Sequence, residues 1–121
     1  MRAALVIAIA ALAPSLACAK NTVSFSGRAS YYDVNYKGRT ASGARYDPEK
    51  LTAAHRTLPF GTRLRVTDKR TKRSVIVVVN DRGPFIRKVS LDLSLAAAKS
   101  LKMMYRGVIP IQVEQVTDAT Q

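Results

Sequence analysis

Short segments in which hydrophobic and polar residues alternate recur along this chain, and a period of two is typical of half-buried β-strands. The clearest segment is residues 62–67, where Leu64 and Val66 fall on one face and Arg63 and Arg65 on the other. This pattern predicts a strand with one buried side.

Three further segments have a strand-like composition. Residues 23–33 alternate and include two adjacent tyrosines, which are good β-formers. Residues 74–79 are continuously β-branched after the first position, which predicts a strand that is covered on both faces. Residues 108–116 alternate again, with Pro110 at a position that would suit an edge strand.

Turn and cap signals divide these segments. Residues 35–48 contain glycines and small polar residues and predict a loop, and residues 80–84 end the β-branched run at a Gly-Pro corner. Residues 51–58 fit either a helical turn or an extended segment. Ser94 is a favourable N-cap for a short helix with an apolar residue at every third position. Five or six short strands with one small helix indicate a mainly β, closed, barrel-like fold.

The first nineteen residues have the pattern of a secretory signal peptide. Arg2 gives a basic start, Ala3 to Ala13 is an unbroken apolar run, and small residues at Ala17 and Ala19 suit a signal peptidase. The apolar run is much shorter than the roughly 20 residues needed to cross a bilayer. We expect the leader to be cleaved and residues 20–121 to form one domain in the periplasm or cell envelope.

A lipoprotein signal is the alternative interpretation of the same segment. In that case Cys18 would become the lipidated N-terminus and would anchor the protein to the outer membrane. Ser15 stands where bacterial lipoprotein signals usually carry Leu, which favours ordinary cleavage. In either case the remainder has no cysteine for a disulfide.

The chain is strongly basic, with 20 Lys and Arg against 8 Asp and Glu and a net charge of +12. Such a charge attracts polyanions, and in the cytoplasm nucleic acid would be the first candidate. The leader points instead to the carboxylates of peptidoglycan or to lipid headgroups, and solubility alone is the simplest explanation. One His and one Cys are too few for a zinc site of ordinary geometry, and we expect no cofactor.

Few groups are available for catalysis. A Ser-His-Asp site would need His55, but the chain has no Gly-x-Ser-x-Gly turn. Carboxylate chemistry remains, with Asp81 where a buried strand meets the Gly-Pro corner and Asp92 just before the predicted helix. Each also has a structural interpretation, Asp81 as a turn residue and Asp92 as a helix-start acceptor. A structural role is likewise open for His55, and Arg82 would then pair with a carboxylate.

Several segments, in order from about residue 27 to residue 116, closely resemble the rare lipoprotein A family. They are Gly27-x-Ala29-Ser30-x-Tyr32, Thr40-Ala41-Ser42-Gly43, residues 51–62, Val79-Asn80-Asp81-Arg82-Gly83-Pro84-Phe85 and Leu91-Asp92-Leu93-Ser94. The resemblance implies a six-stranded double-psi β-barrel with one short helix, a fold shared with the first domain of expansins. It also implies an endolytic peptidoglycan lytic transglycosylase that cleaves between N-acetylmuramic acid and N-acetylglucosamine and leaves an anhydro-muramyl end.

The resemblance also implies roles for seven positions. The expected catalytic residues are Asp81, His55 and Asp92, and the expected substrate-binding residues are Ser30, Tyr32, Asp47 and Arg82. The C6 hydroxyl of the muramyl sugar is the nucleophile in this reaction, so one positioned acid/base can suffice where most glycosidases need two carboxylates. The expected partner is the peptidoglycan glycan strand, with no nucleic acid, and we expect a monomer.

One departure from the family pattern bears on activity. Relatives commonly carry Glu directly after the Thr-Ala-x-Gly loop, and here that position is Ala44. If that Glu is the essential acid, the protein would be a non-catalytic, expansin-like wall-binding or wall-loosening module. If Asp81 or Asp92 is the acid, cleavage survives. The sequence leaves no space for the SPOR domain that many relatives append, so it leaves open whether the protein is targeted to the division site.

Overall fold

The computed structural model describes residues 22–117, so the predicted leader and Cys18 lie outside the described residues. Residues 22–117 form six strands and one helix: β1 (Ser24–Tyr31), β2 (Thr52–Ala54), β3 (Arg63–Asp68), β4 (Ser74–Asp81), β5 (Leu91–Leu93), α1 (Leu95–Ser100) and β6 (Ile109–Gln115). The strands close into one barrel in the order β1-β5-β2-β4-β3-β6. The predicted mainly β barrel with one short helix is confirmed.

The barrel combines four antiparallel pairs, one of which is β2 with β5, with two parallel pairs. Strand β3 pairs with β4 and with β6, and β1 pairs with β6, all antiparallel. The parallel pairs are β1 with β5 and β2 with β4, which brings together segments that are far apart in the sequence. Alternate residues of each strand point inward to a core of aliphatic side chains, so packing holds the barrel closed.

The alternating segment around β3 behaves as predicted. Leu64 and Val66 are fully buried, whereas Arg63 and Arg65 are only half-buried. Strand β4 is buried at every second residue rather than on both faces, because its outward side chains meet only partial cover. The expectation of a strand enclosed on both sides was therefore wrong for β4.

The helix begins as predicted. The Ser94 hydroxyl accepts a hydrogen bond from the Ala97 N–H at 3.2 Å, and the Thr52 N–H donates to the same oxygen at 3.2 Å. The cap therefore also fastens α1 to β2. The ambiguous segment 51–58 contains the short strand β2 and no helix.

Pro110 is not on a sheet edge, because the barrel is closed. It lies opposite Arg28 at the start of β6, where a missing N–H costs the ladder little, and its carbonyl accepts from the Lys69 N–H at 3.0 Å. Over residues 22–117, no helix is long and apolar enough to span a membrane.

Candidate active site

Four residues form a row across neighbouring strands of the barrel. Ser30 on β1 pairs with Asp92 on β5, Asp92 pairs with Ala54 on β2, and Ala54 pairs with Asp81 on β4. Strands lie roughly 4.8 Å apart, so the Cα atoms of Asp92 and Asp81 are about 10 Å apart. The two carboxylates that the sequence singled out are therefore brought into one site.

The row lies on the outer face of the barrel. Leu91 and Leu93 are fully buried in the core, so Asp92 between them points the other way. A neighbouring cluster of Tyr32, Tyr46 and Ala54 packs on this same outer side. Ala54, between the two acids, is only 2% exposed because it packs with the two tyrosines.

Asp81 is held by three hydrogen bonds. The Tyr32 hydroxyl donates to Oδ2 at 2.5 Å, and the backbone N–H groups of Ala41 and Arg82 donate to Oδ1 at 2.7 and 2.8 Å. Both backbone donors bind the same oxygen, so Tyr32 alone fixes the other one. Three donors hold this carboxylate in one orientation.

Tyr32 is supported by an aromatic cluster. Its ring stacks on Tyr46 with 4.3 Å between centroids and 9° between planes, and Tyr36 packs against both rings. Only 6% of Tyr32 is exposed. Burial and the Asp81 carboxylate raise the pKa of Tyr32, so its hydroxyl keeps the proton that it donates. The expected contact between Tyr32 and a sugar stays a prediction.

Tyr46 is a residue that the sequence analysis missed. Besides stacking on Tyr32, its hydroxyl accepts a hydrogen bond from the Leu95 N–H at 3.1 Å, which ties the loop before β2 to the helix. Burial raises the pKa of Tyr46. An aromatic residue directly before Asp47 in a loop of small polar residues was the available signal.

Asp92 has a different environment from Asp81. The Ser30 hydroxyl donates to its Oδ1 at 3.0 Å. Burial raises the pKa of Asp92, the Asp81 charge adds to this effect, and the Ser30 hydrogen bond opposes it. A carboxyl with a raised pKa holds its proton at higher pH, as a general acid requires.

His55 adjoins the site mainly through its backbone. Its N–H donates to the Asp81 carbonyl at 3.1 Å. The side-chain Nδ1 accepts from the Thr57 and Leu58 N–H groups, both at 3.1 Å, and the ring packs 5.6 Å from Phe25. In the neutral ring the proton then lies on Nε2.

The charge state of His55 follows from its surroundings. Burial lowers the pKa of His55, and the positive charges of Arg56 and Arg82 lower it further. A neutral imidazole with Nδ1 occupied can still donate from Nε2. The structure gives this side chain a clear role in ordering its own loop.

Arg82 bonds carbonyl oxygens rather than a carboxylate. Its Nη1 donates to the His55 and Leu58 carbonyls at 3.2 and 2.8 Å, and its guanidinium lies 4.1 Å from the centroid of Phe60. The ion-pair interpretation of Arg82 was therefore wrong. The side chain instead holds the loop that follows β2 against the Asp81 corner.

Asp47 and Ala44 lie in the long loop between β1 and β2. The Asp47 carboxylate is exposed and accepts from the Glu49 N–H at 2.9 Å, which is a local turn contact. The Ala44 carbonyl accepts from the Thr40 N–H at 2.8 Å and hydroxyl at 3.0 Å. This tight turn presents the Ala41 N–H to Asp81.

The described residues contain no group of three or more His, Cys, Asp or Glu side chains placed to hold a metal ion. What the site offers is an oriented carboxylate, Asp81, and a second carboxyl, Asp92, whose pKa is raised. Two carboxyl groups in different environments can divide the roles of proton donor and proton acceptor between them.

The sequence profile of a family described as "Lytic transglycolase" matches residues 24–113. The chain belongs to this family. The match covers five strands and most of β6 and includes both acids of the row, and together with the relatives described next it confirms the resemblance to the rare lipoprotein A family.

Two curated relatives of this lytic transglycolase family member are bacterial proteins named "Probable endolytic peptidoglycan transglycosylase RlpA". The Nostoc sp. protein is 54% identical over 95 residues, which are 76% of this chain and 26% of the relative. The Aquifex aeolicus protein is 48% identical over 105 residues, covering 82% of this chain and 46% of the relative. The chain thus spans between about a quarter and half the length of these two relatives.

Solved structures share the barrel. A Streptomyces papain inhibitor superposes with a TM-score of 0.64 at 27% identity, covering 78% of this chain and 96% of the inhibitor. An apo expansin from Clavibacter michiganensis gives a TM-score of 0.63 at 25% identity, covering 79% of this chain and 52% of the expansin. The barrel of this lytic transglycolase family member is therefore a fold that proteins with other activities also have.

Proposed function

We propose that this protein is a peptidoglycan lytic transglycosylase that cuts glycan strands in the cell envelope. The observation that carries the proposal is the row on which Asp92, with its raised pKa, and Asp81, with three donors, face the same outer surface. The substrate, peptidoglycan, is inferred from the names of its relatives, and the location in the cell envelope is inferred from the predicted leader.

The two acids fit the proton transfers of this reaction. Protonated Asp92 donates its proton to the bridging oxygen as the bond from the muramyl C1 to that oxygen breaks. The C6 hydroxyl of the same muramyl ring attacks C1, and the Asp81 carboxylate takes the hydroxyl proton. The products are a 1,6-anhydro-muramyl end and a free hydroxyl on the neighbouring sugar, and no water is consumed.

The intramolecular nucleophile explains why so sparse a site suffices. Ring closure brings two groups of one sugar together, so the enzyme need only hold the ring in a reactive conformation and move two protons. Ser30 and Tyr32 then act as positioning residues that orient Asp92 and Asp81. His55 and Arg82 hold the adjacent loop in place.

Ala44 favours one alternative, in which the protein binds glycan without cutting it. Two variants separate the two functions. The mature protein is incubated with purified, peptide-stripped sacculi, and soluble products are analysed by mass spectrometry. We expect anhydro-muramyl products from the wild type and from Glu114→Gln, an exposed carboxylate on β6, and none from Asp92→Asn. Wild-type binding without product would establish the binding module instead.

A further inference from the structure

Three large apolar side chains are exposed beside the site and have no role in the mechanism above. Phe85 is 80% exposed, Ile86 is 59% exposed and Phe60 is 42% exposed. We call these three residues, two phenylalanines and one isoleucine, the aromatic shelf. Single exposed apolar residues are ordinary, but a group of them beside a functional site is typical of a binding surface.

The two loops that carry the shelf are fastened together. Arg82 bonds the His55 and Leu58 carbonyls and lies over one face of Phe60. In the opposite direction, Arg56 Nη2 donates to the Ile86 carbonyl at 3.2 Å. These crossed contacts make one continuous surface of the loops 55–61 and 82–90.

This surface continues directly from Asp81. The Arg82 N–H donates to Asp81 Oδ1, and Phe85 follows Asp81 by only four residues, so the chain places it within about 14 Å. Gly83 adopts a φ of 125°, a conformation that favours glycine, at the corner that turns the chain toward Phe85. A glycan of several sugar rings that binds at Asp81 is therefore long enough to extend to the shelf.

The two loops that carry the shelf contain charges of one sign. The loops 55–61 and 82–90 contain four arginine and lysine residues and no Asp or Glu. Arg56, Arg87 and Lys88 are exposed. Aromatic faces stack on the C–H faces of sugar rings, and cations bind carboxylates, so this combination fits an anionic sugar better than a neutral one.

We propose that the aromatic shelf, together with Arg87 and Lys88, binds the glycan strand next to the cleaved linkage and selects glycans whose sugars carry a carboxylate. In peptide-stripped peptidoglycan that group is the lactyl carboxylate of the muramyl residue, which is free once the amide bond to the stem peptide has been cut. This inference rests on the proposed function and adds its specificity: the shelf discriminates a muramyl glycan from chitin, which has the same acetamido sugar backbone without the lactyl group.

The shelf is tested by binding rather than by cleavage. All variants carry Asp92→Asn, so bound glycan is not cut, and affinity is measured by co-sedimentation with peptide-stripped sacculi. Phe85→Ala is expected to weaken binding about tenfold, as expected for an aromatic anchor. Tyr105→Ala removes a side chain that is 86% exposed in the loop before β6, and is expected to bind like its parent.

The charge selection is tested with a matched pair of double variants. Arg87→Gln/Lys88→Gln is compared with Lys72→Gln/Arg73→Gln in the β3–β4 turn; both pairs contain an exposed lysine with positive φ, 64° at Lys88 and 69° at Lys72. The first pair is expected to weaken sacculus binding by about tenfold at low salt and to leave chitin binding unchanged, whereas the control pair changes neither by more than about twofold.

The outcomes separate the two claims. Unchanged sacculus binding by Phe85→Ala, or equal losses from both charge pairs, would overturn the shelf while the cleavage reaction stays intact. Equal weakening of chitin and sacculus binding by Arg87→Gln/Lys88→Gln would overturn the carboxylate selection. If the parent binds sacculi no better than chitin and the wild type releases no anhydro product, the proposed function itself fails.

Discussion

Removing the Tyr32 hydroxyl tests how the site holds its charged carboxylate. Tyr32→Phe keeps the buried ring and its stack on Tyr46, but it deletes the 2.5 Å hydrogen bond to Asp81 Oδ2. The remaining donors, the N–H groups of Ala41 and Arg82, both bind Oδ1. The carboxylate is then free to pivot about that oxygen.

The expected loss of rate follows from this geometry. A hydrogen bond to a charged group contributes about 1.5–3 kcal/mol, which corresponds to roughly ten- to 150-fold in rate if all of it is needed in the transition state. Without the Tyr32 donor, Asp81 Oδ2 is also a stronger proton acceptor, and this partly offsets the loss of rate. We therefore expect kcat for Tyr32→Phe to fall about tenfold, the lower end of the range, with little change in glycan affinity.

The assay follows the release of anhydro-muramyl products from peptide-stripped sacculi, alongside thermal unfolding. Tyr36→Phe is the matched control, because its hydroxyl donates to the Arg39 carbonyl in an exposed loop. Turnover of Tyr32→Phe equal to that of Tyr36→Phe would refute the positioning role. A fall in Tm of more than about 10 °C would refute it too, since the hydroxyl would then be holding the fold.

Further predictions concern Asp92 and the core. NMR titration of the Asp92 carboxyl is expected to show its pKa rising further in Ser30→Ala, which loses a stabilising donor, and falling in Asp81→Asn, which loses a repelling charge; the reverse order would contradict the assignment. A raised pKa means that ionised Asp92 destabilises the folded state only, so the free energy of unfolding falls as the pH rises through that pKa. Asp92→Asn should therefore unfold at a higher temperature than the wild type at pH 7. This difference should disappear below the ordinary pKa of an aspartate. Leu64→Ala should lower the free energy of unfolding by about 2–5 kcal/mol in urea titrations, and exposed Leu51→Ala by far less; similar losses would contradict the packing of the barrel.

The local elements were predictable because their causes are local. The alternation of residues 62–67 requires one buried face, and Ser94 can cap a helix only where a helix begins. Strand β2 was not predictable, because three residues show no usable period. The number of strands indicated a closed barrel, but the order in which the strands pair is not recorded in any local pattern, and Pro110 was misplaced on an edge for that reason.

The site was predictable only in part. The two acids stood out because Asp81 lies at the Gly-Pro corner and Asp92 just before the helix. That they share one surface depends on the parallel pairing of β1 with β5 and of β2 with β4. That pairing joins Ser30 to a residue 62 positions away. The supporting role of Tyr46 and the backbone donor of Ala41 depend on how the long loop folds back, which no sequence period records.

The attack of the muramyl C6 hydroxyl, in place of water, is tested most directly by running the reaction in water labelled with heavy oxygen. The products released from peptide-stripped sacculi are separated, and their masses are measured by mass spectrometry. We predict anhydro-muramyl ends that carry no label. Labelled reducing ends would show that Asp81 and Asp92 activate water, and would contradict the assignment of this barrel as a lytic transglycosylase.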